Sequence, residues 1–248
     1  MRILLLGGTA EARELAGHLH PDAEVITSLA GRIPDPALPV GAVRIGGFGG
    51  PGGLREWLCG NRIQAVIDAT HPFAATITGN GAQACAELGL PHLVLCRPAW
   101  EPAGAHLVGS VSAAAELVAT RGYPRVFLTT GRSGLHAFTA GDAWFLIRVV
   151  TPPDPAVLPR RHEVALSRGP YRYDDERALL ERHQIQVLVT KNSGGELTRA
   201  KLDAARALGV DVVMIERPPL PPGVRVVGTV GEALDWVGSG ALGTPQPG

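Results

Sequence analysis

Short apolar runs that do not alternate with polar residues recur along this chain. Residues 2–6 read RILLL, 65–70 AVIDAT, 92–97 HLVLCR, 125–131 RVFLTTG and 211–218 DVVMIERP. A strand with one wet face alternates apolar and polar side chains, so an uninterrupted run must be covered on both faces. Between the runs lie segments with helical periodicity: 9–19, 52–61, 75–89, 112–122, 174–184 and 196–209. Strands separated by helices of about 10–15 residues form right-handed βαβ units. The pattern predicts an α/β protein with two open, mostly parallel sheets. The segment 97–104, RPAWEPAG, interrupts the rhythm with two prolines and a glycine and reads as the domain junction. The expected division is 1–97, then 98–240, with 241–248 a flexible, Gly/Pro-rich tail.

A length of 248 residues accommodates two such domains. Lys plus Arg and Asp plus Glu both total 23, a balance that argues against a nucleic-acid partner held by bulk charge. It leaves room for a local cationic pocket. Cys59, Cys85 and Cys96 make no C-x-x-C pair, and the eight histidines show no H-E-x-x-H spacing, so no metal site is expected. No run approaches the ~18 apolar residues of a membrane span. The opening MRILLLGG reads as a first strand rather than a signal peptide. The expectation is a cytoplasmic protein without a membrane partner.

Gly7 and Gly8 stand where the first strand turns into the first helix. Glycine permits close backbone approach, and a helix N-terminus offers amide N–H groups to a phosphate. Thr9 is placed to cap the helix and to donate to a phosphate oxygen. The motif is G-G-T-A-E-A rather than G-x-G-x-x-G, and a plain tight turn would ask for the same glycines. NAD-binding folds usually carry an acid at the end of the second strand, on the ribose diol. Here the residues are Thr27, Ser28, Leu29, Ala30, Gly31 and Arg32. A 2′-phosphate suits Ser28 and Arg32 better than a diol does, which favours NADP over NAD.

Ligands of open α/β sheets bind outside the carboxyl ends of the strands. Those ends carry Asp68, Thr70, His71, Pro72 and Phe73; Thr129, Thr130, Gly131, Arg132 and Ser133; Ser167, Arg168, Gly169 and Tyr171; Thr190, Lys191, Asn192, Ser193, Gly194 and Gly195; and Glu216 and Arg217. Arg132, Arg168, Lys191 and Arg217 converging on a cleft between the domains would suit an anionic ligand, although a structural salt bridge fits each one singly. Asp68 can cap the helix at 75–89 or orient a ligand. His71 titrates near neutrality and is held extended by Pro72, while Phe73 offers a flat apolar face.

LLLGGTAEAREL, IDATHPFA, TTGR, SRGPY, VTKNSGG and VVMIERP resemble, in order and over most of the chain, the signature segments of the precorrin-6A reductase family of cobalamin biosynthesis. Asn192 stands where Asp would also be accepted. The resemblance implies two Rossmann-like domains with room for strand exchange between them. It implies NADPH as cofactor and a polycarboxylate tetrapyrrole as substrate, reduced at one double bond from precorrin-6A to precorrin-6B by a monomer or small homo-oligomer. On this reading Gly7, Gly8, Thr9, Ala10, Ser28, Gly31, Arg32 and Thr70 hold the cofactor. Asp68, His71, Phe73, Thr130, Gly131, Arg132, Ser167, Arg168, Lys191, Ser193, Gly194, Gly195 and Arg217 face the substrate. His71, Tyr171 and Lys191 are the candidate proton donors. A methyltransferase using S-adenosylmethionine and a non-catalytic nucleotide sensor are the other readings. The missing acid after the second strand weighs against the first, and the polar strand ends of the second half against the other.

Overall fold

The computed structural model describes residues 1–31 and 38–239. The elements, in chain order, are β1 (Arg2–Leu6), α1 (Ala10–Leu19), β2 (Glu24–Leu29), β3 (Ala42–Ile45), α2 (Gly50–Gly60), β4 (Ala65–Asp68), α3 (Ala75–Leu88) and β5 (His92–Leu95). Then come β6 (His106–Val108), α4 (Val111–Arg121), β7 (Arg125–Leu128), β8 (Trp144–Val149), β9 (His162–Leu166), α5 (Tyr173–Arg182) and β10 (Val187–Lys191). The last are α6 (Ala200–Leu208), β11 (Asp211–Ile215), β12 (Arg225–Val227) and α7 (Val230–Gly238).

Two six-stranded sheets form, ordered β3-β2-β1-β4-β5-β12 and β9-β8-β7-β10-β11-β6. Every pairing is parallel. In each sheet the chain winds outward from a central strand, returns, and winds the other way. That is the doubly wound order, and it leaves a switch point at the carboxyl ends of β1 and β4 and of β7 and β10.

The sixth position of each sheet departs from simple winding. β6 follows β5 in the chain yet pairs with β11, with Val213 beside His106. β12 follows β11 yet pairs with β5, with Arg225 beside Leu93. The outermost strand of each sheet is thus supplied from the other half of the chain. The compact units follow this exchange: Met1–Pro98 with Pro218–Gly248, and Ala99–Arg217. The expectation that 98–240 makes one domain is corrected accordingly, because β12 and α7 belong to the first unit; 241–248 lies outside the described residues. The exchanged modules resemble each other. Val108-Gly109-Ser110-Val111 and Val227-Gly228-Thr229-Val230 both run from a short strand through a hydroxyl cap into a helix. Ser110 Oγ accepts from the Ala113 amide at 3.0 Å, and Thr229 Oγ1 from the Glu232 amide at 3.2 Å. Glu232 answers by accepting from Gly228 and Thr229, which pulls its carboxyl below the usual range through those backbone bonds.

Both faces of the first sheet are covered, which accounts for its apolar runs. Ile3, Leu5, Ile67 and Leu93 meet α1 and α7 through Leu15, Ala16 and Trp236. Leu4, Leu6 and Val66 meet α2 and α3 through Leu54, Leu58 and Cys85. In the second unit Phe127, Leu146 and Leu188 pack on Leu180 of α5 and on Ala204 and Ala205 of α6. No helix among the described residues is long and apolar enough to cross a membrane.

Candidate active site

The turn from β1 into α1 runs close to β2 through its two glycines. Gly7 donates to Ser28 O at 3.0 Å, tying the turn to β2. A Cβ at Gly7 would stand 2.8 Å from Thr27 Cγ2, so a larger residue would force the Thr27 side chain or the turn to shift. Gly8 has φ +114, with open space where a side chain would project. The first amides of α1, at Ala10 and Glu11, have no intrahelical acceptor. Thr9 is the cap, accepting from the Ala12 amide at 3.1 Å, but its hydroxyl proton goes to Ala69 O at 2.7 Å. That bond fastens the β1 turn to the end of β4 and takes the proton expected to serve a phosphate. Glu11, beside the turn, is neutralised by Arg97, whose Nη1 donates to both carboxylate oxygens at 3.0 and 3.1 Å.

At the ends of β2 and β3 a cation that the sequence reading overlooked stands beside Ser28. Arg44 Nη1 donates to Ser28 Oγ and to Gly46 O, each at 2.9 Å, and Nη2 to Gly47 O at 3.0 Å. Its guanidinium lies 3.7 Å from the Phe48 ring centroid. Partial burial lowers its pKa from the ordinary value. The signal was a lone arginine inside the strand AVRI. Gly31 has φ +70, and a Cβ there would press to 2.9 Å on Ile45 Cγ2. Arg32 lies outside the described residues.

At the end of β4, Asp68 is buried and accepts through Oδ1 from the Thr70 amide at 2.9 Å and hydroxyl at 2.6 Å. It therefore holds the strand end. It does not cap α3, whose cap is Ala74 without a side-chain bond. Asp68 Oδ2 is buried with no partner among the described residues. Burial lowers the pKa of His92, and the Asp68 charge partly opposes that shift. His71 is exposed and accepts at Nδ1 from the Phe73 amide at 3.2 Å, which assigns the proton of the neutral ring to Nε2.

The second unit gathers the other set at its own strand ends. Lys191 Nζ lies 3.5 Å from Ser133 Oγ, and burial lowers the lysine pKa. Arg217 Nε donates to Asn192 O at 2.8 Å. Gly131, Gly194 and Gly195 take positive φ in the turns after β7 and β10. Thr130 is buried, its Oγ1 without a partner among the described residues. Arg132 and Arg168 are exposed. Tyr171 donates to Ser167 O at 3.2 Å and its ring lies 4.1 Å from the Arg148 guanidinium. Its proton is committed, which weakens it as an acid relative to His71 and Lys191.

Two arrangements here escaped the sequence reading. Asn192 clamps Trp100, accepting from its amide at 2.8 Å and donating to its carbonyl at 3.0 Å. Trp100 Nε1 in turn donates to Gly195 O at 2.8 Å. An aspartate at 192 would have no hydrogen for the Trp100 carbonyl, so the position asks for the amide. Beneath it lies a buried ion pair, Arg148 with Glu176 at 2.7 and 2.9 Å, and beside it Lys201, 5.0 Å from the Trp100 ring. Burial, with Arg148 adding to it, brings the Lys201 ammonium down to about 7.

The family model described as Precorrin-6x reductase CbiJ/CobK matches residues 2–238. The chain belongs to the precorrin-6x reductase family. Members of this family are oxidoreductases of cobalamin biosynthesis that act on a CH–CH group and need a nicotinamide cofactor. The chain is 65% identical over 236 residues to precorrin-6A reductase of Mycobacterium tuberculosis, covering 95% of this chain and 97% of that one. It is 54% identical over 244 residues to precorrin-6A reductase of Rhodococcus erythropolis, covering 96% and 98%. A solved structure of CobK precorrin-6A reductase superposes with a TM-score of 0.89 at 36% identity, covering 99% of each chain. The methyltransferase and nucleotide-sensor readings draw no support from membership of the precorrin-6x reductase family.

Proposed function

We propose that this chain uses NADPH to reduce one double bond of precorrin-6A, giving precorrin-6B. The observation that carries the reading is the β1–α1 turn, where a Cβ at Gly7 would press on Thr27 and Gly8 leaves open space beside helix amides that have no intrahelical acceptor. The donor set suits a dinucleotide: amides of Gly8, Ala10 and Glu11 for a pyrophosphate, and the buried Asp68 Oδ2 as acceptor for a ribose hydroxyl or carboxamide N–H. NADPH supplies the hydride. The protein's task is then alignment, charge pairing and delivery of one proton.

Arg132, Arg168, Lys191 and Arg217, with Ser193 and the Gly194–Gly195 backbone, supply cations and amides for the substrate's carboxylates. His71 Nε2 and the Lys191 ammonium are the two proton donors of choice. The lowered pKa of Lys191 eases release of its proton near neutral pH. The metal-free ring is the substrate favoured by the names of the two curated relatives above. With its balanced charge, the enzyme works in the cytoplasm as a monomer or small homo-oligomer, without nucleic-acid or membrane partners.

The test is anaerobic incubation with precorrin-6A and NADPH, following loss of reduced-nicotinamide absorbance and the gain of two mass units in the macrocycle (about two hydrogens, one hydride and one proton). Oxidation of NADPH without reduction of the ring, or turnover with NADH alone, refutes the reading.

A further inference from the structure

We propose that Arg44 and Ser28 grip the 2′-phosphate on the adenosine half of NADPH, at the carboxyl edge of β2 and β3. The inference rests on the NADPH reading above and names the residues that would enforce it.

A guanidinium offers five N–H donors in a fixed fork. Three of those on Arg44 are spent, on Ser28 Oγ, Gly46 O and Gly47 O. One on Nε and one on Nη2 have no partner among the described residues, and two such donors are what a phosphate takes up bidentately. Ser28 accepts from Arg44, so its own hydroxyl proton is available for a third bond. No carboxylate among the described residues pairs with Arg44. Among the described residues its charge is not neutralised as that of Arg148 is by Glu176 or that of Arg97 by Glu11.

The group is also held still. Phe48 lies under the guanidinium, the Trp57 ring centroid is 5.5 Å away, and the two rings meet edge to face at 5.5 Å. Three hydrogen bonds and an aromatic floor leave little side-chain freedom to lose when an anion arrives. The location is the third independent point. In doubly wound sheets the end of the second strand meets the adenosine ribose, and an acid there selects the diol. Here that strand ends in Thr27, Ser28 and Leu29, with the cation reaching in from β3 at the register pair Ser28–Arg44.

The experiment is titration calorimetry with adenosine 2′,5′-bisphosphate and adenosine 5′-phosphate on the wild type, Arg44→Gln, Arg44→Lys and Ser28→Ala. The wild type should prefer the bisphosphate. Arg44→Gln should lose that preference by on the order of 10–100-fold while binding the monophosphate unchanged, the size expected of charge-assisted bonds. Arg44→Lys, which keeps the charge without the fork, should fall between, and Ser28→Ala should lose a smaller part. A preference that survives in Arg44→Gln overturns the assignment and leaves the NADPH reading standing. Equal loss of both ligands also overturns it, because Arg44 would then only brace the Gly46–Gly47 turn. A wild type indifferent to the 2′-phosphate sinks the NADPH reading and this inference with it. Arg44→Lys and Ser28→Ala decide the matter should the glutamine variant fail to fold.

Discussion

Replacing Lys201 by methionine should stabilise the second unit, and the gain should shrink as pH rises. Lys201 is 5% exposed. It sits on the first turn of α6 beside the Trp100 ring, with Arg148 and Glu176 as its charged neighbours. In the unfolded chain it holds its proton up to about 10.5, whereas in the folded chain it loses it above about 7. Between those values the unfolded state binds more protons, so the contribution of this group to stability rises with pH. Below about 7 both states are charged and the full cost of burying an ammonium is present. At about 1.4 kcal/mol per pH unit, the whole gap amounts to roughly 5 kcal/mol. Lys201→Met keeps most of the volume and removes the charge, and effects of all other titrating groups cancel in the difference. The difference in unfolding free energy should fall by roughly 2–3 kcal/mol between about pH 7 and pH 9. Urea titrations read by hydrogen exchange in β8, β10 and α6 isolate the unit that holds the lysine. A difference that stays constant across that range, or grows with pH, refutes the argument.

Asn192→Asp should lower the melting temperature by a loss worth about 1–3 kcal/mol, since it leaves the buried Trp100 carbonyl without its donor; calorimetry that shows no change would remove the clamp from the account. His71→Ala and Lys191→Met should each cut kcat by about 10²–10⁴-fold with smaller changes in KM, as loss of a proton donor does; wild-type turnover in both variants would dismiss the two residues as acids.

Much of the architecture is legible in local sequence. The non-alternating run RILLL needs cover on both faces, and the helices between such runs supply it, whatever else the chain does. Gly7 and Gly8 likewise announce a tight strand-to-helix turn, because the positive φ of Gly8 is a local backbone requirement; that Thr27 crowds Gly7 is a tertiary fact. Strand partnership is a different matter. β6 and β12 carry nearly the same local message, a short apolar strand, a hydroxyl cap and a helix, and nothing in either states which sheet it will complete. Arg44 reaches Ser28 across 16 residues, and Asn192 reaches Trp100 across 92; periodicity and motif spacing contain no term for such distances. The apolar patterning alone determined two doubly wound α/β layers with polar carboxyl edges. The exchange of outer strands, the oriented cation at Ser28 and the buried lysine beside Trp100 were decided only by tertiary packing, because each depends on contacts between segments far apart in the chain.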